Sequence, residues 1–273
     1  MSAILNQAGN PLGGEVKKNE EVHQAAGQEG QLRFCSLERR VTQGCRVAEA
    51  WRPDSRRLKG ESVLLALTGT DGVGKSTVTR AFVAELNARG YRARTVDRWD
   101  IVADSRYPAA RFLSHDIKDI RTCIADMPGT SRLLFLIWSM AMALEGAREE
   151  PGEIVVVDGY WMKHAAGEIA YGLDPEWVEA LVAGVPTAHL TVRLGLDLTL
   201  AWQRKQGDLV PYECGMDPAC SRDSFLTHQR AISDQLDRWA ERNHWPTLDS
   251  TRPVPRIVAD LVGLVEQAEH HRH

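Results

Sequence analysis

Residues Gly69-Thr-Asp-Gly-Val-Gly-Lys-Ser76 spell G-x-x-x-x-G-K-S/T without interruption. Gly69, Gly72 and Gly74 let the backbone curl so that its N–H groups turn inward, the arrangement that receives phosphate oxygens. Lys75 supplies a cation long enough to reach the β- and γ-phosphates of a nucleoside triphosphate, and the Ser76 hydroxyl suits Mg2+. Asp71 and Thr77 complete the side chains this loop would turn toward a nucleotide. The chemistry these residues predict is nucleoside triphosphate binding with Mg2+.

Such a loop works only if a strand delivers it and a helix receives it. The apolar run Val63–Thr68 precedes it and the helical stretch Ser76–Leu86 follows, so the positive end of that helix adds to the phosphate cradle. From Ser62 onward strand and helix patterns alternate, which predicts an α/β fold: a doubly wound parallel sheet of about five strands with helices on both faces. The strands fall at Val63–Thr68, Arg92–Val96, Glu153–Asp158, His189–Leu194 and, weakly, Pro246–Asp249. Helices are expected from Lys75 to near Arg89, where Gly90 can cap, and over 108–126, 131–147, 174–183, 197–206, 223–243 and 254–269. Residues 61–273 thus read as the nucleotide-binding domain, with a polar insertion at about 206–222 as a short lid.

Residues 1–60 carry little apolar periodicity and much Gly, Gln, Glu, Lys and Arg, so they read as a largely disordered extension. The sequence as a whole is ordinary in composition, with 43% apolar and 26% charged residues. A net charge of −4 gives no basic field for nucleic acid or an acidic membrane. The sequence has neither a signal-like start nor a run long enough to span a bilayer, and its five cysteines form no CxxC pair. A cytoplasmic protein with reduced thiols is expected. Cys214 and Cys220 flank a short loop and are candidates for metal binding or oxidation only in the absence of a better role. The closing His270-His-Arg-His273 suggests no function.

Asp158 ends the continuously apolar strand Glu153–Asp158. A carboxylate there is placed to orient Mg2+ directly or through water. Phosphoryl transfer needs positioning and charge neutralisation more than a covalent nucleophile, so cations beside the lid matter: Arg204, Lys205 and Arg222 are the candidates.

The order of these motifs resembles the thymidylate kinases. Their loop reads E-G-x-D-G-x-G-K-S/T, and Thr68 through Thr77 matches after the first position. Asp158-Gly-Tyr160 resembles their D-R-Y, Ala170-Tyr-Gly172 their A-Y-Q, and Asp223 through Arg230 their D-F-F-x-x-V-R. The likeness runs over residues 62–269. It implies a kinase that uses ATP and Mg2+ on a nucleoside monophosphate, often as a homodimer. It implies catalytic roles for Lys75, Asp158, Arg98 and Arg204, and substrate contacts from Asp71, Arg98, Tyr160 and Tyr171. Stacking on an aromatic acceptor is open to Trp99, Trp138, Tyr160, Trp161 or Tyr171, with the two tyrosines first because they hold matched motif positions. Asp71 holds the position that lies near the acceptor sugar in that family.

The departures fall on the acceptor side. Arg98 remains from the family's T-R-E-P-G-G, but the rest of that motif is gone. Ser139 stands where the family has the arginine of F-A-A-D-R, Gly159 replaces the arginine of D-R-Y, and Gly172 the glutamine of A-Y-Q. Neither Gly nor Ser can replace a forked guanidinium. The donor half therefore reads as intact and the acceptor half as rebuilt, with the acceptor altered from dTMP. Two other readings stay open: a kinase of a nucleoside or other small hydroxyl compound, and a catalytically silent nucleotide-binding regulator.

Overall fold

The computed structural model describes residues 62–113, 116–147 and 152–270, all within one unit spanning Cys45–His273. The extension expected over 1–60 lies outside the described residues, as do the last three residues of the histidine-rich tail. In chain order the elements are β1 (Val63–Thr68), α1 (Lys75–Ala88), β2 (Ala93–Val96), α2 (Ile117–Asp126), α3 (Gly129–Ala147), β3 (Ile154–Asp158), α4 (Tyr160–Ala170), α5 (Pro175–Val182), β4 (Leu190–Gly195), α6 (Leu198–Lys205), α7 (Arg222–Asn243), β5 (Thr247–Asp249) and α8 (Val254–His270).

All four strand pairings are parallel and the order is β2-β3-β1-β4-β5. The central strand shows why. Side chains alternate across a strand, so Leu64 and Ala66 enter one core while Leu65 and Leu67 enter the other. The first core takes its helical residues from α2, α3, α4, α5 and α7, including Leu133, Met140, Val178 and Trp239. The second packs Val78, Phe82 and Leu86 of α1 and Ile257, Leu261 and Val265 of α8 against the opposite face. Both faces are covered, and ligand chemistry is left to the carboxyl ends of the strands, where β1 lies between β3 and β4. Among the described residues no helix is long and apolar enough to cross a membrane.

Most of the expected elements appear within a residue or two of their expected ends; three local features differ. The helix expected over 108–126 is split: Pro108–Ala110 forms a single 3-10 turn, and α2 starts at Ile117, where the Asp116 side chain accepts from Lys118 N. The loop after β2 closes into a 3-10 turn, Arg98–Ile101, because Asp97 and Asp100 cap it reciprocally. Helix α4 was not anticipated at all. Seven of its residues, among them Tyr160, Met162, His164 and Glu168, are buried, so it carries no polar stripe from which a helical period could be read.

Candidate active site

The loop between β1 and α1 sits at the head of the central strand. Gly72 and Gly74 take positive φ of 79° and 96°, values that suit glycine. The loop is also pressed between neighbours: a β-carbon on Gly69 would meet the Leu194 carbonyl oxygen at 2.6 Å, and one on Gly72 the Ala201 carbonyl oxygen at 2.6 Å. Gly72→Ala is therefore expected to lower the melting temperature by several degrees, because left-handed backbone alone costs an alanine about 1–2 kcal/mol. Thermal unfolding reads this, and an unchanged melting temperature would mean the loop yields easily.

Lys75 folds across the loop and donates to the carbonyls of Gly69 at 3.1 Å and Thr70 at 2.9 Å. Burial lowers its pKa from the usual lysine value, and the neighbouring Lys163 lowers it further. Register pairs Leu67 with Asp158, so the end of β3 stands beside the start of the loop. There the Ser76 hydroxyl donates to Asp158 Oδ2. Two hard oxygen donors with Ser76 open to solvent suit Mg2+, which takes one or two protein oxygens and completes its octahedron with water and phosphate. Thr77 is exposed on the first turn of α1.

Asp71 is buried at the loop apex. Its Oδ1 lies 2.5 Å from Lys163 Nζ, and Gln229 of α7 clasps it twice, accepting from its backbone N–H at 2.9 Å and donating to Oδ2 at 3.2 Å. Burial would raise this carboxyl, but Lys163 and then Lys75 hold it well below the usual carboxylate range. Gln229 also donates to the Glu213 carbonyl at 2.9 Å, which ties the lid to the loop.

Arg98 sits in the turn after β2, half-buried, with its guanidinium 4.7 Å from the Trp99 ring centroid. Its Nη1 meets His164 Nε2 at 2.7 Å. A guanidinium cannot accept, so Nε2 must be the acceptor and the imidazole neutral. Burial, then the charges of Arg98, Lys163 and Lys75, push the His164 pKa well below its usual value, in agreement. Arg98 Nε and His164 Nδ1 are buried without a hydrogen-bond partner.

The remaining sequence candidates fall out differently. Arg204, at the end of α6, donates to the carbonyls of Ser250 at 3.0 Å and Val73 at 3.4 Å, so it braces the loop. Lys205 pairs with Glu213 at 2.9 Å, and Arg222 is half exposed beside Asp223. Tyr160 was expected to stack on an acceptor, but it is 1% exposed in the core with its hydroxyl on the Pro186 carbonyl, leaving no open ring face. The Tyr171 ring is half-buried, 4.6 Å from His228, 5.5 Å from Tyr212 and 5.3 Å from the Arg132 guanidinium, and its hydroxyl donates to the Tyr212 carbonyl. It anchors the lid. Ser139 is buried and bonds its own helix at Leu136. Cys214 packs against Ala201 and Phe225, and its thiol is pushed up to about 12 by burial and a hydrogen bond with Cys220, which makes it a poor nucleophile or ligand.

Sequence reasoning missed Lys163, His164, Glu168, Gln229 and the Arg132–Glu168 pair. The first three lie on α4. Had that helix been recognised, Gly159 and Lys163 would have stood out as neighbours one turn apart.

A parallel sheet of this order, with a glycine-rich loop at its central strand and a Ser–Asp oxygen pair beside it, is the architecture of a P-loop nucleotide-binding protein. No protein-family model matches the chain. A probable thymidylate kinase of Caldivirga maquilingensis is 25% identical over 211 residues, covering 75% of this chain and 93% of the relative. One from Pyrobaculum calidifontis is 28% identical over 211 residues, 76% of this chain and 97% of the relative. A third, from Archaeoglobus fulgidus, is 27% identical over 157 residues, 55% and 74% respectively. The chain is therefore a P-loop kinase that is similar, over about three quarters of its length, to proteins named probable thymidylate kinase.

Proposed function

We propose that the protein transfers the γ-phosphoryl group of ATP to a nucleoside monophosphate or a close nucleotide-like acceptor. The observation that carries the acceptor half is Arg98. A half-buried guanidinium held by a neutral imidazole, with its Nε buried and unsatisfied, has no counter-charge at hydrogen-bond distance among the described residues. A phosphate monoester would supply both the charge and the acceptor oxygens. The relatives' names support the same reaction class. Gly159 and Ser139, in place of arginines, support an acceptor altered from thymidylate.

In this reading the β,γ-bridging P–O bond of ATP breaks and a new bond forms between the γ-phosphorus and an acceptor phosphate oxygen, leaving ADP. The loop glycines and Lys75 hold the donor phosphates, and Lys75 offsets the charge that gathers on the leaving oxygen. Mg2+ held by Ser76 and Asp158 supplies further neutralisation across those phosphates when bound. Asp71, fixed by Gln229 and kept ionised by Lys163, orients the acceptor sugar, while Arg98 holds the acceptor phosphate in line.

The test is incubation with Mg·ATP and a panel of nucleoside monophosphates, including dTMP, dUMP and 5-substituted relatives, beside the free nucleosides. Phosphorylated product is expected from a monophosphate. Arg98→Ala is expected to raise KM for that acceptor about 10- to 100-fold with Mg·ATP affinity unchanged, the scale of a lost charge-assisted hydrogen bond. Product from nucleosides alone would move the acceptor class to a hydroxyl compound. ATP binding without any product would favour the regulatory reading.

A further inference from the structure

We propose that Lys163 is a catalytic cation of this site, its ammonium touching the phosphoryl group in transfer and replacing the charge that an arginine at position 159 would supply. The inference rests on the phosphotransferase reading above and deepens it.

The geometry begins at Gly159, the residue between Asp158 and α4. Its φ is 79°, and a β-carbon built there would lie 3.7 Å from Lys75 Cε and 4.0 Å from Lys163 Cδ. The stems of two lysines from different elements therefore flank the same small volume, directly beside Asp158. A β-carbon at 159 would make ordinary van der Waals contact with both stems, and a longer side chain would have to share the volume with them. Lys163, one helical turn later, sends a cation past this volume from the firm base of a buried helix.

Charge points the same way. Lys163 Nζ stands 2.5 Å from Asp71 Oδ1, with the Lys163 side chain 17% and the Asp71 side chain 11% exposed. Lys75 is near enough to Lys163 for the two to repel. Around the shared volume stand Lys75, Lys163 and, across neutral His164, Arg98; Asp71 and Asp158 oppose them, with Glu213 already paired to Lys205. The two stems flank one volume while their ammonium groups rest on protein oxygens, Lys75 on the Gly69 and Thr70 carbonyls and Lys163 on Asp71. An anion placed between them would draw both charges. The β- and γ-phosphates belong beside Lys75, so the anion that meets both lysines is the γ-phosphoryl group. In a loose transition state that group's equatorial oxygens carry the charge, and a second fixed cation lowers the barrier where water is excluded. A purely structural role, as the counter-ion of Asp71, would not need the lysine to share its volume with Lys75.

The test compares Lys163→Met, which keeps the apolar stem, and Lys163→Ala with wild type, measuring Kd for Mg·ATP and Mg·ADP and kcat on the acceptor found above. A cation on the transferring group favours ATP over ADP. Both variants are expected to lose about tenfold in Mg·ATP affinity, to keep Mg·ADP affinity within about twofold, and to lose about 100-fold or more in kcat. Affinities for ATP and ADP that fall together, or remain together at wild-type values, overturn the proposal and leave Lys163 as a structural partner of Asp71. If the wild type phosphorylates no acceptor, the phosphotransferase reading fails, whereas selective loss of ATP over ADP affinity would still place Lys163 at the γ-phosphate.

Discussion

Lys75→Ala is expected to reduce turnover by about 100- to 1000-fold while the protein remains folded, the scale measured when one fixed donor to a developing oxyanion is removed. That corresponds to about 3–4 kcal/mol of lost transition-state stabilisation. The lysine is buried, and its ammonium lies across the carbonyls of Gly69 and Thr70. It therefore starts inside the cradle and needs only to exchange those oxygens for phosphate oxygens. Lys75→Met, which keeps the stem, separates loss of charge from loss of packing. If either variant turned over within tenfold of wild type, with its melting temperature unchanged, Lys75 would not be acting on the phosphates. Lys163 would then be the first cation to examine in its place.

Glu168→Ala is expected to be the most destabilising single change, at about 3–5 kcal/mol, because it strands a buried charge. Arg132 and Glu168 are 5% and 0% exposed and form two parallel N–H to oxygen contacts at 2.5 and 2.9 Å. The guanidinium also donates to the Ala125 and Met127 carbonyls at the end of α2, and it lies 5.3 and 5.2 Å from the ring centres of Tyr171 and Tyr212. Removing the carboxylate leaves that cation with aromatic faces and two carbonyls but no counter-charge. The melting temperature should fall by about 6–20 °C, judged by the entropy of unfolding of a domain this size. A second effect follows at the site. Tyr212 donates to Glu168 at 3.0 Å, and Tyr212 belongs to the 3-10 turn Pro211–Cys214 that carries Glu213 over the phosphate loop. The variant should therefore lose activity below its melting temperature as the lid loosens. Replacing both partners by apolar residues should cost less than Glu168→Ala alone, since no unpaired charge remains. A melting temperature within about 2 °C of wild type for Glu168→Ala would show that the ion pair contributes no net stability.

The glycine-rich loop between β1 and α1 was legible in the sequence because its parts are contiguous. Gly69 through Thr77 carry their own geometry: glycines are placed where backbone must turn left-handed, and the lysine and serine follow at fixed spacing. Asp158 was legible for a related reason, since a run of buried β-branched residues has to stop somewhere and the residue that stops it faces the carboxyl edge of the sheet. The same periodicity predicted the α/β class, the five strands and most of the helices.

What the sequence could not convey is which distant side chains meet. Lys163 reaches Asp71, Gln229 clasps the same aspartate, His164 receives Arg98, and Glu168 holds Arg132 with Tyr212, all between elements far apart in the chain. Aromatic residues were the most misleading signal. Tyr160 and Tyr171 occupy motif positions, yet burial in the core takes the first and contacts at the lid hold the second. Helix α4 is unreadable in the sequence because it is packed on nearly every side, and with it go Lys163, His164 and Glu168, which the tertiary structure brings to Asp71, Arg98 and Arg132. By itself the sequence determined the strand that delivers the phosphate loop and the loop's chemistry, because both are encoded by local spacing. Only the tertiary structure decided which side chains surround Asp71 and Arg98, because Lys163, Gln229 and His164 reach them from distant parts of the chain by packing that no local pattern records.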